Sequence, residues 1–177
     1  MAKKIFQLNW GTTIALIVSF AALITTIYEA NILKAQQQAL VWPYLEVNPS
    51  WSGQGFGVKA KNSGTGPAIV TSVEVLYDGE PISSFTEILD QLDRDSVLNY
   101  YQFTYHDLNK TVLRSGEERF VFLMGWTPYT RSIIEDAKPI SFKIEYKSVL
   151  DDYWVFDSEE GTIQEGRFKS RLEFQSY

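Results

Sequence analysis

At 177 residues, 45% hydrophobic and 15% aromatic, the chain holds enough apolar mass for one ordinary core and too much for a disordered tail. It has no cysteine, which removes disulfides, thiolate nucleophiles and Cys-held metals. The net charge of −6 is unevenly placed: Lys3 and Lys4 are the only charged side chains before Glu29, and 14 basic face 22 acidic side chains from there on. That net −8 argues against nucleic acid and other phosphate-rich surfaces as partners.

Trp10 to Tyr28 (WGTTIALIVSFAALITTIY) contains no charged side chain. As a helix it is about 28 Å long, enough to cross the hydrocarbon core of a lipid bilayer, with an aromatic ring at each end for the headgroup level. The basic residues before it and Glu29 after it predict a cytoplasmic stub over 1–9 and an outward-facing remainder. Ser19-Phe20-Ala21 resembles a signal-peptide cleavage site, but the apolar run continues past it through Ile27, so a retained anchor is expected. Gly11, Ala15, Ser19 and Ala22 share one helix face. A stripe of small residues lets a second copy or a partner membrane protein approach closely.

Residues 29–42 continue with helix formers and predict an aqueous stalk, which Trp42-Pro43 ends. Leu33 and Leu40 are a heptad apart, a weak coiled-coil signal. From Pro43 to Tyr177 the period changes to two. Strands are predicted around 44–47, 56–61 and 68–77, and further ones around 98–105, 111–113, 118–126, 140–149 and 153–156. One or two more are predicted in 161–174. Asp78-Gly79 and Asp151-Asp152 are turn signals. Ser83 to Leu92 predicts one short helix, with apolar residues at Phe85, Ile88, Leu89 and Leu92 and a serine cap, and 131–137 a helical turn. The expected architecture is mainly β: a transmembrane helix and stalk, then an antiparallel sandwich with one short helix.

Two segments resemble known proteins. Asn62-Ser63-Gly64-Thr65-Gly66-Pro67-Ala68, together with Tyr146-Lys147-Ser148-Val149 and Trp154, is similar to bacterial single-pass membrane-anchored proteins. These pair an N-x-G-x-G-P-A turn with a late Y-x-S-V…W hairpin. The resemblance implies an immunoglobulin-like sandwich outside the inner membrane, on the periplasmic side, and implies no activity. Gly64 and Gly66 are expected to supply backbone angles closed to other residues.

No cofactor, metal or catalytic residue is expected. Gly53-Gln54-Gly55-Phe56-Gly57 lacks the following helix and the Lys-Ser/Thr pair of a phosphate loop and reads as a hairpin turn. His106 beside Asp107, with Ser115 or Ser96, has no sign of a nucleophile elbow. The run Asp90, Asp93, Asp95 lacks the glycine and distal glutamate of a calcium loop, and Arg94 interrupts it. The aromatic strand Tyr101, Phe103 and Tyr105 is the candidate contact face of the outer domain, either exposed for a protein or sugar partner or buried against the short helix. The expected function is a non-catalytic interaction or accessory module; an envelope carbohydrate-binding domain is the alternative.

Overall fold

The structure is a computed structural model that describes residues 10–92, 103–128, 130–131, 139–168, 170 and 174. The chain divides into two compact units, Met1–Leu40 and Val41–Tyr177.

The first unit is a single helix, α1 (Trp10–Leu40), 31 residues and about 46 Å long. It is long and apolar enough to cross a membrane, and none of its residues is buried. Its small-residue face contains a self-satisfied hydroxyl: Ser19 Oγ donates to the Ala15 carbonyl at 2.8 Å. Thr25 and Thr26 do the same to Ala21 and Ala22, so these polar groups impose little cost in an apolar medium.

The second unit is mainly β, with two antiparallel sheets. In chain order its elements are β1 (Leu45–Trp51), β2 (Gly55–Asn62), β3 (Ala68–Tyr77), β4 (Glu80–Ile82), α2 (Phe85–Leu92) and β5 (Phe103–Tyr105). They continue with β6 (Val112–Leu113), β7 (Glu118–Gly125), β8 (Ile140–Lys147), β9 (Tyr153–Asp157) and β10 (Thr162–Glu165). One sheet runs β1-β2-β7-β5; the other runs β10-β9-β8-β3-β4, with β6 beside the start of β3. The inward rows of both sheets meet in one core, Val58, Ala60 and Phe122 from the first and Val73, Ile144 and Phe156 from the second. This is a sandwich built by period-two alternation.

Local chemistry explains the turns. Asp78 and Gly79 both take positive φ, as a two-residue β3–β4 hairpin requires. Ser148 Oγ accepts the Leu150 N–H at 3.0 Å inside the β8–β9 turn. At the start of α2, the Glu87 carboxylate reaches back to the Ser83 N–H, and the Glu87 N–H donates to the Ser84 carbonyl at 3.3 Å. The carboxylate thus ties down an N–H just ahead of the helix, as the acidic half of a capping box does one residue later.

The N-x-G-x-G-P-A turn holds the end of the sandwich where the chain enters. Asn62 is fully buried and uses its whole hydrogen-bonding capacity. Its Nδ2 donates to the carbonyls of Gly66 (2.8 Å) and Leu113 (3.0 Å), and its Oδ1 accepts from Gly64 N (3.0 Å) and Tyr44 N (3.2 Å). The expectation for the two glycines is corrected here. Neither Gly64 nor Gly66 lies at positive φ. They are required by close approach, since a Cβ on Gly64 would strike the Trp42 and Tyr44 backbone, and one on Gly66 the Val41 backbone.

Candidate functional site

Phe103 and Tyr105 lie on β5 at the edge of the first sheet and are half-buried against the core. Phe103 stacks on Phe122 (centroids 5.8 Å apart) and meets Phe85 of α2 edge-on at 6.1 Å. Phe85 in turn contacts Phe174 at 4.9 Å. Phe103 therefore packs beneath α2 and Tyr105 packs on Phe103 at 6.0 Å, while Tyr101 lies outside the described residues. The strand was legible as aromatic in sequence; which face is covered is a tertiary fact.

The aromatic surface that is exposed lies elsewhere. The inward row of β1 goes from buried Leu45, through half-buried Val47, to exposed Pro49 and Trp51 toward the β1–β2 hairpin. Trp51 is 61% exposed. It stacks on Trp126 (centroids 5.7 Å, planes 22° apart) and packs on its cross-strand partner Phe56 at 4.6 Å. Trp126 follows β7 and is pinned from two directions: its Nε1–H donates to the Ser52 carbonyl at 2.7 Å, and the Arg131 guanidinium lies 5.3 Å from its ring. Thr130, fully buried, fixes the connecting turn through its Oγ1–H to the Gly125 carbonyl at 2.8 Å and by accepting the Thr127 N–H at 2.8 Å. The hairpin below is tight. Ser52 Oγ accepts from Gln54 N and Gly55 N, and a Cβ on Gly55 would strike the Met124 carbonyl.

Sequence reasoning missed this constellation, because Trp51 and Trp126 are 75 positions apart and only the β1-β2-β7 pairing brings them together. The one available signal was a tryptophan at the lip of a glycine-rich turn, where burial is least expected.

The outer face of the second sheet carries a different arrangement. Glu145 of β8, almost fully buried, accepts the Phe168 N–H at 3.0 Å and the Thr71 hydroxyl at 2.7 Å, and Arg167 Nε lies 3.7 Å from the same carboxylate. Arg167 also covers the Tyr153 ring at 4.3 Å, and Ser170 Oγ donates to buried Glu74 at 3.1 Å. The segment after β10 is thereby strapped over this sheet, beside a pocket of about 200 Å³ lined in part by Lys143, Asp157, Gln164 and Arg167. Burial raises the Asp157 carboxyl, but the Lys143 ammonium at 3.0 Å and the backbone N–H groups of Glu159 and Glu160 outweigh it and hold it below the usual carboxylate range. These side chains are satisfied by one another, which suits a structural strap.

The catalytic constellation weighed in the sequence is not assembled among the described residues. Asp107 accepts the Asn109 N–H at 2.7 Å, Ser115 Oγ donates to the Gly64 carbonyl at 2.6 Å, and His106 is exposed. Ser96, Asp93 and Asp95 lie outside the described residues. A second cluster of acidic residues, Asp151, Asp152, Asp157, Glu159 and Glu160, follows β8; in it Asp151 pairs with Lys147 at 2.6 Å and Asp157 with Lys143. Among the described residues no three carboxylate or histidine side chains come together as a metal site would require. No protein family matches the chain, and no curated protein is similar to it.

Proposed function

We propose that the protein is a single-pass, membrane-anchored, non-catalytic binding module, with α1 as its tether and the Trp51–Trp126 end of the sandwich as its contact surface. The observation that carries this reading is an exposed tryptophan, Trp51, held against half-buried Trp126 at the end of β1 remote from where the chain enters the sandwich. Exposing an indole costs free energy that burial would have gained, about 25 cal/mol per Å² of apolar surface, so an exposed ring held in place by its neighbours is a mark of binding.

Lys3 and Lys4 before the span, against Lys34 alone in residues 29–48 after it, support a cytoplasmic N-terminus and an extracytoplasmic sandwich, periplasmic in a bacterial inner membrane. The strand order β1-β2-β7-β5 against β9-β8-β3 supports the immunoglobulin-like reading, since it runs in the order A-B-E-D and G-F-C. The stripe Gly11, Ala15, Ser19, Ala22 supports self-association or a partner membrane protein in the bilayer.

The chain has no native cysteine, which makes the test clean. A Cβ at Gly53 meets nothing within 4 Å, so Gly53→Cys places one thiol beside the platform without disturbing it. In intact cells a membrane-impermeant maleimide is expected to label it, and a thiol-anchored photo-crosslinker is expected to give a discrete adduct that Trp51→Ala abolishes. Labelling only after lysis would overturn the topology, and an adduct pattern indifferent to Trp51 would overturn the contact surface.

A further inference from the structure

We propose that the Trp51–Trp126 platform binds a neutral saccharide, one pyranose ring lying flat on the exposed Trp51 face with its hydroxyls engaged by the polar rim. This names the ligand class of the binding module described above and rests on that reading. Three features select a sugar over a protein or a polyanion.

The first is the shape and composition of the surface. A protein-docking patch needs contiguous apolar area with aliphatic and aromatic anchors around a dry centre. Among the described residues the exposed surface here is Trp51 with Pro49 beside it, resting on half-buried Phe56 and Trp126. The other exposed large hydrophobic residues of 41–177, among the described residues, are Trp42, Val112, Val149 and Leu150. All four lie at the opposite end, around the turn that Asn62 holds and the adjoining β8–β9 turn. A planar aromatic face of one- or two-ring size matches the C–H face of a pyranose, which packs on the electron-rich side of the ring.

The second is hydrogen bonding. The rim offers the exposed Gln54 amide, the Trp51 indole N–H and the exposed Arg131 guanidinium. Such donors and an amide acceptor suit hydroxyl groups, each of which both donates and accepts. The platform is also held in advance by Phe56, Ser52 and Arg131, so binding freezes few rotamers.

The third is charge. The residues from Glu29 onward carry a net −8, and a polyanionic polymer would approach against that field. A neutral ring pays no such cost, and its affinity is expected to be nearly independent of salt.

The test uses the full chain in phosphatidylcholine nanodiscs, which avoids sugar-headed detergents, titrated with hexamers of β-1,4-linked glucose and of β-1,4-linked N-acetylglucosamine while tryptophan emission is followed. A saturable change is expected with at least one hexamer, little altered by salt. Trp51→Leu, which keeps bulk but not a flat ring, is expected to weaken binding about tenfold or more. Trp51→Tyr is expected to retain most of it, and Trp42→Phe all of it. No saturable response to either hexamer, equal binding by Trp51→Leu, or affinity that collapses with salt would overturn the proposal. A proline-rich peptide that binds where both hexamers fail would overturn the saccharide and leave the binding module standing. Gly53→Cys cross-linking indifferent to Trp51 would overturn both.

Discussion

Replacing Asn62 by alanine should be among the most damaging single changes in the sandwich, although no charge and little apolar volume is lost. The side chain is fully buried, and its removal strands two carbonyls (Gly66 and Leu113) and two N–H groups (Gly64 and Tyr44). A buried polar group left without its partner costs about 1–3 kcal/mol. Tyr44 is only half-buried and regains water, so about 3–5 kcal/mol in total is expected rather than the full sum. For a domain of this size that corresponds to a fall in Tm of about 10–15 °C, read by calorimetry on the chain in nanodiscs. Asn62→Asp should be worse near neutral pH, because its oxygens would then face the Gly66 and Leu113 carbonyls. It should recover partly in acid, where a protonated carboxyl regains one donor. A fall of less than about 3 °C for Asn62→Ala would refute the reasoning, since it would mean that the turn closes without its central side chain.

Two further expectations concern buried groups that bridge the fold. Burial pushes the Tyr146 hydroxyl up to about 12, against the small opposing effect of the Leu45 N–H that it accepts at 3.5 Å. Its folded value lies above the unfolded one, so its contribution is complete below about pH 10 and is lost as pH rises through about 12, about 2–3 kcal/mol for a shift of that size. Tyr146→Phe should flatten that alkaline limb in pH-dependent unfolding, and an unchanged limb would count against the assignment. Glu145→Ala should release the strap over the second sheet, because the Phe168 N–H loses its acceptor and Arg167 its counter-charge. The expected signature is faster amide exchange at Phe168, with about 1–2 kcal/mol lost overall; protection equal to that of the unaltered chain would show that the strap is held by other contacts.

Much of the architecture was open to a reader of the residues alone. An uncharged run from Trp10 to Tyr28 has one physical solution, a helix, and the helix formers after it carry that geometry on to Leu40. Alternation at Phe56, Val58 and Ala60, and the turn chemistry of Asp78-Gly79, report local φ/ψ preferences and period, which are written in adjacent residues. The N-x-G-x-G-P-A segment was legible as a turn but not for its reason. Its glycines are dictated by backbone passing close from Val41 to Tyr44, a contact between segments about twenty positions apart.

The candidate site shows where such reading stops. A strand's alternation says that two faces exist and not which is covered, so Phe103 and Tyr105 stood as either surface or core until α2 and Phe122 were seen against Phe103, with Tyr105 packed on it. Trp51 occupies an inward-facing position by period and is nonetheless exposed, at the hairpin end of its strand. By itself the sequence determined an apolar span, the sign of the charge on either side of it and a mainly β remainder with one short helix, because hydrophobicity, charge and short-range dihedral preference are properties of neighbouring residues. Only the tertiary structure decided which aromatic rings are buried, and that Trp51, Trp126 and Arg131 share one surface, because burial and adjacency depend on how distant strands pair and where each sheet ends.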